Sequence, residues 1–364
     1  MALRCGLIGL PNAGKSTLFN ALTHGHAATA EYPFTTIDPN IGVATVPDAR
    51  LERLAAVIPH DKVVSTSIEF VDVAGLVKGA SQGEGLGNQF LAKVAEVDAL
   101  IHVVRCFDDG RVPHTLGSVD PARDVELIQI ELLLKDLETV ERAAEKQRKV
   151  AKGGNAKAQE CVTAMEQLAA GFKQGVPARK QPVMTGWREL GTGFEPLTAK
   201  PVLYAANIGE GDIAGETTPV LALRALAERE QAQAVVLAAR TEAELVVMST
   251  EEQQSMRQML GLTEPALDRL VQAAYRLLGL ISFFTAESRI VQAWTVARGT
   301  KAPQAAGRIH TDFEKGFIKA EVIGYDTFVQ CGSEANARAQ GVLRTEGKEY
   351  VVQDGDLVRF KFSA

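Results

Sequence analysis

Between a short apolar run, Cys5–Ile8, and a segment with apolar side chains at Leu18, Phe19 and Leu22 stands GLPNAGKS, Gly9 to Ser16. The order of strand, Gly-x-x-x-x-Gly-Lys-Ser loop and helix commits the chain to an α/β fold, because only that context turns backbone N–H groups onto a phosphate. Gly9 and Gly14 let the loop curl, and the helix beginning at Lys15 adds the positive end of its dipole. Lys15 supplies a point charge for the β- and γ-phosphates of a nucleotide, a catalytic as well as a binding duty. The Ser16 hydroxyl is a ligand for Mg²⁺.

Two further segments fit a triphosphate site. SIEFVDVAGLVKG is a second hydrophobic strand, Ile68–Val73, that ends at Asp72 and Gly75. An acid so placed holds Mg²⁺ through water, and the glycine N–H senses the γ-phosphate. Glycines 79, 83, 85 and 87 follow, in a loop suited to ordering with one nucleotide and relaxing with another. In AEYPFTTIDPN either Thr35 or Thr36 is placed to close over the ion, or both are strand-entry residues. Leu76 stands where a water-orienting Gln is usual and cannot position a nucleophile. His114, in the loop RCFDDGRVPHTLGSVDPARD, is the candidate to do so, against the alternative of a loop histidine without a duty. Asn12 is a candidate ligand for a monovalent cation, K⁺, beside the phosphates.

YAANIGE, Tyr204 to Glu210, occupies the place of a guanine-reading Asn-Lys-x-Asp. Guanine offers two donors, N1–H and the 2-amino group, that an aspartate accepts together; against adenine N1 the same carboxylate opposes two acceptors. Glu210 is one methylene longer and follows Gly209, so its carboxylate is not obliged to sit against the base. Asn207 keeps its place near purine N7, and Ile208 is set to cover the ring. These residues weaken guanine preference without selecting adenine. Ala238, Ala239 and Arg240 stand where Ser-Ala-Lys would be expected.

The rest of the chain bounds the setting. Its 364 residues suggest two or three domains, and 46% hydrophobic content without an apolar run near ~18 residues fits a soluble protein without a membrane partner. No signal peptide is evident. Cys5, Cys106, Cys161 and Cys331 lie far apart, which argues against zinc or a disulfide framework and for a reducing cytoplasm. A net charge of −6 leaves any nucleic-acid contact to a local patch. One such patch is the tip of a helical hairpin predicted from Asp124 to about Phe172. Ile130, Leu133, Leu137, Val140 and Ala144 repeat at helical spacing, as do Ala158, Val162, Met165, Leu168 and Phe172, with the turn at Gly153 and Gly154. Arg142, Lys146, Arg148, Lys149, Lys152 and Lys157 make that tip basic, as a solvated surface or as an RNA-contacting arm. The last stretch is strand-rich, with TEGK and QDGD as hairpin turn signals. From Leu280 it carries eleven basic against ten acidic residues, so charge gives it no case for RNA. His310 has no metal-ligand spacing around it and is expected to be structural.

GLPNAGKST, YPFTTIDPN, DVAGLVKGASQGEGLGNQFL and NIGE together resemble the Obg-related translation-factor ATPases known as the YchF or Obg-like ATPase family. AWTVARGTKAPQAAGRIHTDFEKGFIKAEVI is similar to the family's TGS domain. The resemblance implies a Ras-like P-loop domain over 1–123 and 200–278, an antiparallel coiled-coil hairpin inserted at 124–199 and a β-grasp TGS domain over 279–364. It implies ATP as substrate, with the residue after Asn207 contacting the base. Asn12, Ala13, Gly14, Lys15, Ser16 and Thr17 then wrap the phosphates, and Thr36 joins Ser16 on Mg²⁺. The ribosome, as large subunit or whole particle, is the implied partner, with RNA contact through the hairpin tip or the TGS domain, in a switch governing translation or stress response. The alternatives are an Obg-type GTPase, a nucleotide sensor with little hydrolysis, and a metabolic kinase, for which no acid near the loop beyond Asp72 is apparent.

Overall fold

A computed structural model describes residues 3–24, 40–73, 86–262 and 264–363. The chain opens with β1 (Arg4–Ile8), α1 (Lys15–His24), β2 (Ile41–Thr45), α2 (Ala49–Val57), β3 (Lys62–Val64), β4 (Ser67–Asp72), α3 (Leu86–Glu96) and β5 (Ala99–Arg105). It continues through α4 (Pro121–Ala151), α5 (Ala156–Lys173), α6 (Trp187–Leu190), β6 (Val202–Asn207), α7 (Thr218–Arg229), β7 (Gln233–Leu237), α8 (Ala239–Leu245), α9 (Thr250–Met259) and α10 (Ala266–Leu277). The last part holds β8 (Leu280–Glu287), β9 (Ile290–Ala297), α11 (Ala302–Ile309), α12 (Thr311–Lys315), β10 (Phe317–Gly324), α13 (Tyr325–Cys331), α14 (Glu334–Ala339), β11 (Arg344–Glu346) and β12 (Asp356–Phe362).

These elements pack as two compact units, Met1–Gly42 with Glu69–Leu270, and Val43–Ile68 with Val271–Ala364. The sequence gives no sign that an early segment, Val43–Ile68, belongs with the C-terminal part.

In the first unit a sheet of order β2-β4-β1-β5-β6-β7 forms, with β4, β1, β5, β6 and β7 parallel. The central strands β5 (ALIHVVR) and β6 (VLYAAN) are buried at every position, as expected of strands covered on both faces. Phe90, Leu91 and Val94 of α3, Val125, Ile128 and Leu132 of α4, and Val220 and Leu223 of α7 form one apolar core with the sheet. The order runs outward from β1 in both directions, to β4 on one side and β5 on the other. A crevice therefore opens past the carboxyl ends of these strands, where open α/β sheets bind ligands.

Helix α4 serves two cores. Its first turns face the sheet, while Leu133, Val140 and Ala144 pack with Met165, Leu168 and Phe172 of α5. Ion pairs Arg148–Glu166 and Lys173–Glu141 run in opposite order along α4 and α5, so the two helices are antiparallel. The predicted apolar series fails at one point: Ile130 is 43% exposed, because the helix turns Ile128 and Leu132 inward and Ile130 to the opposite side. The buried carboxylate of Asp136 accepts from the backbone N–H groups of Leu197 and Thr198 and from the Thr198 hydroxyl, at 2.7, 2.8 and 2.6 Å. It ties α4 to the residues that lead into β6.

The second unit is built on a sheet of order β11-β10-β12-β8-β9-β3. Leu51 and Leu54 of α2 lie in one core with Phe284, Val291, Ile323 and Phe328. Arg50 pairs with Asp48 and Asp354, and β3 lies parallel to β9. TEGK and QDGD do form turns, but they do not join paired strands: among the described residues β11 bonds to β10, and β12 lies between β10 and β8. His310 caps α12, its Nδ1 accepting from the Asp312 backbone at 3.2 Å, in keeping with a structural part. No helix among the described residues is long and apolar enough to cross a membrane, and all four cysteines are free and buried.

Candidate functional site

The loop after β1 has the backbone its glycines predict. Gly9 has φ 155° and Gly14 φ 98°, and a Cβ on Gly9 would lie 2.4 Å from the Val103 carbonyl oxygen. Asn12 takes φ 63°, and its Nδ2 donates to the Pro113 carbonyl across 3.2 Å. Lys15 is buried, with Nζ donating to the Leu10 carbonyl at 2.9 Å. Burial lowers its pKa to about 8, with Asp72 acting in the opposite sense. A buried ammonium at the start of α1 is primed for phosphate oxygens, which would restore the charge balance that burial disturbs.

Ser16 and Asp72 come together. Ser16 Oγ donates to Asp72 Oδ2 at 2.9 Å, while Asp72 Oδ1 is buried without a hydrogen-bond partner among the described residues. A hydroxyl beside a carboxylate with one orphaned oxygen is a hard donor set that fits Mg²⁺. Among the described residues no three His, Cys, Asp or Glu side chains gather as a metal cluster, so phosphate and water oxygens would complete the coordination. Thr35, Thr36, Gly75 and Leu76 lie outside the described residues.

Asn207 at the end of β6 is buried, and its side chain bonds within the protein. Its Nδ2 donates to the Ala13 carbonyl at 2.9 Å and its Oδ1 accepts from the Ala239 backbone at 3.0 Å. The side chain thus staples the phosphate loop to the segment Ala238–Arg240, and still has one N–H to offer a purine. Gly14 is required by the same contact: a Cβ there would lie 2.2 Å from Asn207 Nδ2.

Beside it a cavity of about 670 Å³ is lined by Asn12, Thr17, Phe107, Ile208, Glu210 and Arg240, among others. Glu210 does not stand alone, since Arg240 Nε lies 3.5 Å from its Oε1 and 3.3 Å from Glu244 Oε1. Phe107 faces this space and was not singled out in the sequence. It is positioned by Arg105, a fully buried cation whose Nε and Nη2 donate to the Phe107 and Val112 carbonyls at 3.1 and 2.7 Å. The guanidinium sits 4.5 Å above the Phe107 ring. The signal was legible in retrospect: an arginine ends the mostly apolar run ALIHVV.

His114 is held against the first turn of α4. Its Nε2 lies 2.8 Å from Asp124 Oδ2, and its Nδ1 accepts from the Leu116 backbone at 3.1 Å. In this conformation neither ring nitrogen is left for a water molecule.

Comparison with known proteins bears on the whole chain. The family model described as "50S ribosome-binding GTPase" matches residues 4–149, and the YchF-GTPase C-terminal family, of unknown function, matches 280–363. The protein called Ribosome-binding ATPase YchF in Bacillus subtilis is 46% identical over 365 residues, with 100% of both chains covered. Its namesake in Haemophilus ducreyi is 47% identical over 364 residues, again covering 100% of each. The solved structure of the Schizosaccharomyces pombe YchF GTPase is 36% identical and superposes with a TM-score of 0.89 over 99% of this chain and 98% of that one. With a Ras-like phosphate loop, its Ser16–Asp72 pair and full-length likeness of this order, the chain belongs to the YchF family of P-loop nucleotide-binding proteins.

Proposed function

We propose that this protein is a Mg²⁺-dependent ATPase of the Obg-related class whose nucleotide state is communicated to the ribosome. The single observation that carries ATP over GTP is the base pocket. A guanine-reading carboxylate must be free to accept N1–H and the 2-amino group together, whereas Glu210 has Arg240 beside it and a longer reach. Asn207 offers its remaining N–H to the purine, and Ile208 and Phe107 cover the ring. The bacterial relatives are named as ATPases, which agrees. A second reading, an Obg-type GTPase, is favoured by the name of the fission-yeast structure.

Lys15 holds the β- and γ-phosphates, and the backbone from Asn12 through Ala13, Gly14, Ser16 and Thr17 wraps them. Ser16, Asp72 and Thr36 hold the ion, and the Gly75 N–H meets the γ-phosphate. The ion when bound neutralises charge on the phosphate oxygens. His114 orients the attacking water once the loop that carries it shifts. The Asn12 carboxamide oxygen is the proposed contact for K⁺, and unchanged rates on replacing potassium with sodium would remove that role. Residues 1–123 and 200–278 make the nucleotide-binding domain, 124–199 the inserted helical hairpin and 279–364 a TGS module, with Val43–Ile68 packed into the last unit. The hairpin tip or the TGS module contacts ribosomal RNA.

Side-by-side calorimetry with MgATP and MgGTP tests the base reading, with ATP expected to bind at least about tenfold more tightly. Glu210→Asp should narrow the gap. Tighter binding of GTP would replace the ATPase reading by the GTPase one. Phosphate release is expected to be slow alone and faster with ribosomes; none in either condition would make the protein a sensor. Release only on adding a small-molecule acceptor would make it a kinase.

A further inference from the structure

The chain from Cys106 to Asp120 carries β5 into α4, and His114 is held there at both ring nitrogens. A nitrogen that accepts the Leu116 N–H carries no proton, so the ring's proton sits on Nε2 and is donated to Asp124. The two side chains are 6% and 4% exposed. Asp124 is fixed on its other side, where Oδ1 accepts from Arg123 Nε and Nη2 at 3.1 and 2.9 Å. The same guanidinium grips the Ser118 hydroxyl and carbonyl at 3.1 and 2.6 Å. Asp124 also lies in the first turn of α4, capped by Asp120. Pro113, the residue before the histidine, meets Asn12 of the phosphate loop.

The two bonds to the ring are unequal. The one to Asp124 is buried and charge-assisted; the one from Leu116 is a neutral contact inside a single turn. A shift of the loop therefore exchanges the Leu116 N–H for water more readily than it frees the ring from α4. We propose that Asp124 is a positioning residue for triphosphate hydrolysis, pinning the His114 proton on Nε2 so that Nδ1 is the nitrogen presented to the attacking water. The inference rests on the reading of His114 as the water-orienting group. In the step, the water oxygen bonds to the γ-phosphorus while the bond to the β–γ bridging oxygen breaks. The nucleoside diphosphate leaves with that electron pair, and the water proton passes to Nδ1 and then to the phosphate product. Asp124 takes up no proton; its charge steadies the transient imidazolium.

Steady-state ATP hydrolysis by the purified full-length chain tests this, with His114→Ala, Asp124→Asn and the double variant. Asp124→Asn should lower kcat by about ten- to a hundredfold with KM unchanged within about twofold, and His114→Ala should lower it at least as far. In the His114→Ala background, Asp124→Asn should remove no more than a further factor of about two. Losses that multiply, or a rise in KM in place of a fall in kcat, would mean that Asp124 serves only the start of α4, and the proposal fails. An unchanged kcat in Asp124→Asn with hydrolysis abolished in His114→Ala sinks the proposal and leaves the His114 reading standing. Wild-type rates in His114→Ala sink both. Asp124→Glu, which keeps the charge and moves it by one methylene, is measured alongside. The same kcat-selective loss is expected there, and it decides the matter if the Asn variant does not fold.

Discussion

At the scale of single residues, the site depends on backbone conformations that side chains elsewhere hold in place. Gly14 combines φ 98° with a would-be Cβ only 2.2 Å from Asn207 Nδ2, so Gly14→Ala must both strain the loop and push away its staple. Such strain costs about 1–3 kcal/mol. The expected outcome is a lower thermal midpoint with loss of measurable ATP binding by calorimetry; a variant that binds ATP normally would show that the staple is dispensable. Lys15 gives a pH signature. Burial brings its pKa to about 8 in the free protein, and phosphate oxygens must raise it again in the complex. The bound state thus holds more protons than the free state at pH above about 8, so affinity is full below that pH and falls as pH rises through it, by up to about tenfold per unit. Titrations in buffers of different ionisation enthalpy should reveal proton uptake near pH 8.5 that Lys15→Ala abolishes. The phosphate loop was legible because its chemistry is written in eight contiguous residues. The Asn207 staple was not, since its partner Ala13 lies 194 positions away. Nor did the sequence reveal the partner of His114, because the pairing depends on how α4 starts.

Among elements, α4 and α5 show what periodicity can and cannot convey. The α5 series from Ala158 to Phe172 is buried throughout, since α4 and the segment after α5, with Ala178 and Trp187, share one core with it. Along α4 a single series could not capture a helix that packs against the sheet first and against α5 later, and Ile130 fell on the wrong side. The hairpin's charge is also more balanced than its sequence suggests. Arg142 pairs with Glu138, Arg148 with Glu166 and Lys149 with Glu145, whereas Lys146, Lys152 and Lys157 have no ion-pair partner among the described residues. If the tip meets ribosomal RNA, these three lysines are the ones that release counterions. Replacing Lys152 and Lys157 by Gln should weaken ribosome pelleting and lower the slope of log affinity against log salt by about 0.7–0.9 per lysine. ATP hydrolysis without ribosomes should not change. An unaltered slope would move the RNA contact away from the tip.

For the molecule as a whole, the chain's path matters more than its length. Asp72 reaches Ser16 and the proposed metal site on β4 only after the chain has passed through Val43–Ile68, which belongs to the second compact unit. Sequence patterns marked strands and helices there but could not say whose core they joined, because that is decided by partners more than two hundred residues on. The cores answer it: Leu51 and Leu54 are 2% and 0% exposed among Phe284, Val291 and Phe328, and Arg50 pairs with Asp354. A chain ended after Leu270 therefore does not yield a clean nucleotide-binding domain. It strands α2 with two bare leucines, each worth about 1.5–3 kcal/mol of burial, and leaves β3 without β9. Such a truncation should aggregate or show a depressed thermal midpoint, and adding Leu51→Ser and Leu54→Ser should restore its solubility. In the full chain Leu54→Ala alone should cost about 2–5 kcal/mol, because the fully buried side chain leaves a cavity that its neighbours fill only in part. Both arms are read by size-exclusion chromatography and thermal melts. A truncated chain as soluble and stable as the parent would mean that Val43–Ile68 folds without the C-terminal residues that surround it.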